Sequence, residues 1–110
     1  MTRTIKLALF FILATLPLSA VAADYYVEIT NKTGFTIHYV YVSPDKSDDW
    51  EEDVLGSDVL MDNATRRVSL TGYKSPIFDI KVVDEDGDSY TFWDVDVSTD
   101  NITVTLKDLD

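Results

Sequence analysis

Ile77 to Val83 (IFDIKVV), Asp84 to Asp88 (DEDGD) and Tyr90 to Val95 (YTFWDV) decide the fold between them. In the first run Phe78, Ile80 and Val82 fall on one side, the period-2 pattern of a half-buried strand. In the last run Tyr90 and Phe92 lie opposite Trp93 and Val95. An acidic Asp-Gly break between two alternating runs is the signature of a β-hairpin, because both residue types tolerate the positive φ of a tight turn.

The same grammar extends in both directions. Tyr25 to Thr30 alternates with Tyr25, Val27 and Ile29 on one face, and Asn31-Lys-Thr-Gly34 forms a turn. Thr36 to Ser43 (TIHYVYVS) is rich in β-branched and aromatic residues, with Ile37, Tyr39 and Tyr41 opposite His38, Val40 and Val42. Apolar residues on both faces predict a central strand, and Pro44 ends it. Arg67 to Leu70 is a short strand before Gly72. Ile102, Val104 and Leu106 make the last one, with Thr103 and Thr105 facing water. Six to seven short strands with closely spaced turns predict an all-β fold, a small antiparallel β-sandwich. One segment departs from the pattern. Ser47 to Gly56 (SDDWEEDVLG) has an N-cap residue, acids in its first turn and a closing glycine, so a short helical turn is expected near Asp48–Asp53.

Ahead of the strands, Arg3 and Lys6 precede an apolar run from Leu7 to Leu18 and then Ser-Ala-Val-Ala-Ala23. A basic start, a short apolar stretch and small residues at −3 and −1 predict a signal peptide over residues 1–22, cut after Ala22 or Ala23. The protein is then expected to be secreted, to the periplasm or the medium, as a single β-sandwich domain over residues 23–110, with no stable membrane insertion after cleavage. Of the 110 residues none is cysteine, so neither a disulfide scaffold nor a zinc-thiolate site is available. Residues 23–110 carry 7 basic against 20 acidic side chains, a net charge of −13. Nucleic acid would be repelled by such a surface, whereas bound cations would relieve its self-repulsion.

Two acidic clusters are candidate sites. Asp84, Asp86 and Asp88 stand at alternate positions, and closely spaced carboxylates in a turn can supply the six to eight oxygens that Ca2+ takes. The loop is not an EF-hand: its glycine comes fourth, and Trp93 stands where the bidentate glutamate would. A charged hairpin tip is the simpler account of these residues. Asp49 and Asp53, with Asp45, Asp48, Glu51 and Glu52, form the second cluster, where a solvated helix start is the plainer account. A composite site requires both clusters at one end of the sandwich. No catalytic residue is assigned: His38 is the lone histidine, Ser43 and Ser75 lack a triad, and so small a domain offers no long cleft for a carboxylate pair. Trp50, Trp93 and the tyrosines could stack on a sugar or peptide, but alternation places most of them in the core, with Tyr26 and Tyr73 expected outside. The triplets at Asn31, Asn63 and Asn101 fall at turns, which fits exposure.

The motifs Asn31-Lys-Thr-Gly34, Val40-Tyr-Val-Ser-Pro44, Trp50-Glu-Glu-Asp-Val-Leu-Gly56 and Asp79-Ile-Lys-Val-Val-Asp-Glu-Asp-Gly87 span most of the domain. They resemble a family of small secreted bacterial proteins of unknown function, patterned N-x-T-G, V-Y-V-S-P, W-x-x-D-x-L-G and D-I-x-V-V-D-x-D-G. The chain departs from it at Glu51, where the family has glycine. Some relatives carry the label argininosuccinate lyase, which an 88-residue secreted domain is too small to be. The resemblance implies secretion and little about function. The residues themselves point to a non-catalytic acidic module, with weak Ca2+ binding as the first role and docking or inhibition of a cationic extracellular protein as the alternative.

Overall fold

A computed structural model describes residues 23–110; the expected signal peptide lies outside them. Six strands form two three-stranded sheets. The strands are β1 (Ala23–Lys32), β2 (Ile37–Pro44), β3 (Thr65–Tyr73), β4 (Ile77–Asp84), β5 (Ser89–Asp96) and β6 (Ile102–Thr105), followed by a 3-10 turn at Leu106–Asp108. One sheet runs β3-β1-β6 and the other β2-β4-β5. Among the described residues only the β4–β5 hairpin joins neighbours in one sheet, and every other connection crosses the sandwich.

Alternation accounts for the core. Val27 and Ile29 of β1, Val68 and Leu70 of β3 and Ile102 and Val104 of β6 meet Val40 and Val42, Phe78, Ile80, Val82 and Tyr90 from the other sheet. Burying each such side chain contributes about 1.5–3 kcal/mol, so two apolar inner faces hold the layers together without a disulfide.

The structure departs from the sequence reading at several places. The β1–β6 pair is parallel, Ile29 facing Ile102 through Lys32 facing Thr105, in an otherwise antiparallel fold. Strand β2 is an edge and not a centre. Its register slips between Ile37 and Tyr39, leaving His38 without a partner. That bulge turns Ile37, Val40 and Val42 inward together and puts Tyr39 and Tyr41 outside, stacked at 6.3 Å. The open edge of β2 is covered by the connection to β3: Ile37 exchanges two backbone bonds with Leu60, and the Val54 N–H donates to the Val40 carbonyl. Tyr73, expected outside, packs edge-to-face on Phe78 at 4.9 Å, and Leu106, expected inside, is exposed where the 3-10 turn begins.

The helical turn expected over Asp48–Asp53 does not form; the segment consists of bends and an isolated bridge between Asp53 and Tyr41. Its polar groups are committed elsewhere. The Glu51 N–H donates to Ser43 Oγ at 2.8 Å, and Asp53 Oδ1 accepts from the Val40 N–H at 2.8 Å and the Leu55 N–H at 3.0 Å. Five acids in six residues also repel one another at helical spacing.

Candidate functional site

The register of β2, β4 and β5 separates the two acidic clusters. Pro44 pairs with Phe78 while Ile37 pairs with Asp84, so the loop after β2 sits at the opposite end of the sheet from the β4–β5 turn. Five residues of strand from Asp79 to Asp84 span about 17 Å. The acids therefore form two separate clusters and no composite one.

At the hairpin tip, one oxygen of each of Asp84, Asp86 and Asp88 lies within 4.8 Å of the others. Asp86 and Asp88 are exposed, while Asp84 is only 3% exposed. The Asp84 carboxylate is already engaged: Oδ1 accepts from the Asp86 N–H (2.9 Å) and the Asp88 N–H (3.0 Å), and Oδ2 from the Tyr90 hydroxyl (2.8 Å). It folds the turn around itself, helped by Gly87 at φ +85°. Burial pushes the Tyr90 hydroxyl up to about 12, aided by its bond to Asp84 and by the charges of Asp84 and Asp88.

Asp49 and Asp53 part company. Asp53 ties its loop to β2 through the two bonds given above. Asp49 is exposed and, with Asp48, rims a notch of about 90 Å³ whose other lining residues are Ser43, Ser47, Trp50, Asp79 and Trp93. The indoles of Trp50 and Trp93 stand 5.8 Å apart, tilted at 40°. Trp93 is 66% exposed although it sits in a strand. A second bulge explains this, because Phe78 faces Val95 and Ile80 faces Phe92, so Trp93 and Asp94 together oppose Asp79. Asp94 takes φ +53°, which lets Phe92 and Val95 both pack on the core while Trp93 is turned outward. Asp79 holds the bulge, its Oδ1 accepting the Asp94 N–H at 2.8 Å.

Strict alternation places Trp93 on one strand face with Val95 and gives Asp79 no partner. The available signal was Trp-Asp directly after an apolar–polar alternation, but only the bulge makes Trp93 and Asp79 neighbours. The remaining sequence candidates are dispersed. His38 lies exposed at the first bulge, beside Tyr39. The Ser43 hydroxyl is buried and occupied by the Glu51 N–H. Asn31, expected exposed, is fully buried. Among the described residues no helix is long and apolar enough to cross a membrane.

No family model matches the chain, and no curated protein or solved structure matches it either.

Proposed function

We propose that this is a secreted, non-catalytic acidic β-sandwich module that docks a cationic extracellular partner. The observation that carries the reading is charge left uncompensated. Against 20 acidic side chains, the described residues form two ion pairs, Arg66–Asp58 at 3.3 Å and Arg67–Glu28 at 3.5 Å. Both are at the surface, where such pairs contribute little. The unbalanced negative field steers a positive partner and repels other anions. Calorimetric titration with decalysine tests this. Affinity should weaken at least roughly tenfold between about 0.01 M and 0.15 M salt, as the Debye length falls from about 30 Å to 8 Å. Salt-independent binding, or binding no tighter than to an unrelated acidic protein of equal charge, would contradict it.

A second reading is weak Ca2+ binding at the hairpin tip, favoured by the convergence of Asp84, Asp86 and Asp88 oxygens within 4.8 Å. The exposed carboxylates of Asp86 and Asp88 would supply most of the ligands, since Asp84 is held by its turn. It requires a rise in melting temperature with millimolar calcium, absent with magnesium and in Asp86→Asn. Equal effects of all salts at equal ionic strength would remove it.

A further inference from the structure

We propose that the notch beside the packed indoles of Trp50 and Trp93 is an arginine-binding site, taking the guanidinium of a side chain presented by the partner protein; this rests on the docking function proposed above. Three features of the notch point to a planar cation. The first is the indole pair, 5.8 Å apart and inclined at 40°. Indole is the strongest of the aromatic cation binders, and a guanidinium can stack flat on its face. The second is exposure without packing need: Trp93 presents 66% of its surface to solvent, at a bulge whose effect is to turn it out of the core.

The third feature is Asp79. It is 9% exposed and lines the notch. Its Oδ1 accepts the Asp94 N–H, while among the described residues its Oδ2 has no hydrogen-bond partner. A buried carboxylate with an unpaired oxygen is costly, and a donor arriving from solvent through the notch would satisfy it. Asp48 and Asp49 add negative charge at the rim. The walls are preformed. The Ser47 N–H donates to the Pro44 carbonyl at 3.0 Å, Ser47 Oγ to the Asp49 carbonyl at 2.9 Å, and the Asp45 N–H to the Ile77 carbonyl at 3.2 Å. Little ordering is then left for the ligand to bring about. At about 90 Å³ the notch admits the head of one side chain and no more. Arginine suits it better than lysine because its fork can donate to Oδ2 while its plane stacks on Trp93.

Tryptophan fluorescence of the purified protein, titrated with tetra-arginine, tetralysine and tetracitrulline peptides, tests the proposal. Citrulline keeps the shape of arginine and removes the charge. Tetra-arginine should give a saturable change, tetralysine a several-fold weaker one and tetracitrulline none. Trp93→Ala and Asp79→Asn should each weaken arginine binding at least fivefold, with Trp93→Phe intermediate. Asp79→Asn keeps the Oδ1 acceptor that Asp94 needs, and an unchanged melting temperature in each variant shows that the fold is intact. Glu85→Gln, which removes one charge at the far end of the sheet, should change affinity less than twofold. If Glu85→Gln weakens binding as much as Trp93→Ala and Asp79→Asn do, the notch is not the site and only the diffuse field remains. If no cationic peptide binds wild type, both proposals fall. If a neutral oligosaccharide binds in a Trp93-dependent way and arginine does not, the notch is a sugar platform and the arginine site is wrong.

Discussion

Asn31→Ala should lower stability by about 3–4 kcal/mol, at about 1 kcal/mol for each of its four hydrogen bonds, with the Thr33 N–H left without its acceptor. Asn31 is fully buried at the end of β1. Its Nδ2 donates to the Phe35 carbonyl at 2.7 Å and the Leu60 carbonyl at 3.0 Å. Its Oδ1 accepts from the Thr33 N–H at 3.0 Å and from Thr33 Oγ1 at 2.8 Å. One side chain thus joins the β1–β2 turn to the segment that covers the β2 edge. In a domain of this size, each kcal/mol shifts the melting temperature by about 4–8 °C, so a fall of roughly 15–25 °C is expected. Asn31→Asp supplies the control. It keeps Oδ1 but sets an oxygen against two carbonyls, and burial raises the carboxyl's folded-state pKa above its unfolded value. Its stability should therefore recover as pH falls through the folded value, whereas Asn31→Ala should show no such recovery. Equal behaviour of the two variants across pH would contradict this role.

Asp84→Ala should cost about 2–4 kcal/mol by releasing two N–H groups of the hairpin tip and the buried Tyr90 hydroxyl. Asp84→Asn should cost only about 1 kcal/mol, because Oδ1 still accepts both N–H groups and the Tyr90 oxygen can accept from the new amide. The same contact sets an alkaline limit. Tyr90 titrates at about 12 when folded against an ordinary 10.0, so the unfolded chain loses its proton first. The stability from keeping it neutral is complete below pH 10 and is lost as pH rises towards 12, up to about 2–3 kcal/mol. Asp84→Asn should narrow that window from above, read as an earlier rise of tyrosinate absorbance in the folded protein. An unchanged tyrosinate titration would show that Asp84 does not hold Tyr90.

The two halves of the hairpin were legible in Phe78, Ile80 and Val82 and in the Asp-Gly turn, because alternation and positive φ are local properties. Val27, Ile29, Ile102 and Val104 were legible for the same reason. What escaped was set by tertiary contacts. The bulges at His38 and at Trp93–Asp94 each shift one residue, and a shift of one reverses which side chains face the core. Strict alternation thus put Tyr39 with Ile37 and Val95 with Trp93. The acids of Asp48 to Asp53 matched a helix start, yet Ser43 and the backbone of β2, distant in sequence, claimed the bonds that a helix would have used. Parallel pairing of β1 with β6 leaves no local trace at all. The notch depends on both the lost helix and the second bulge, which is why Trp50, Asp79 and Trp93 could not be assembled from spacing.

Amide and indole chemical shifts of the isotope-labelled protein, followed during titration with tetra-arginine at about 0.15 M salt, test most directly the claim that this acidic surface has one place for a guanidinium. The largest changes should cluster at residues 47–50, at Asp79, at Asp94 and at the indoles of Trp50 and Trp93, with the 84–88 turn nearly still. Changes spread evenly over the acidic surface, or centred on the 84–88 turn, would contradict it.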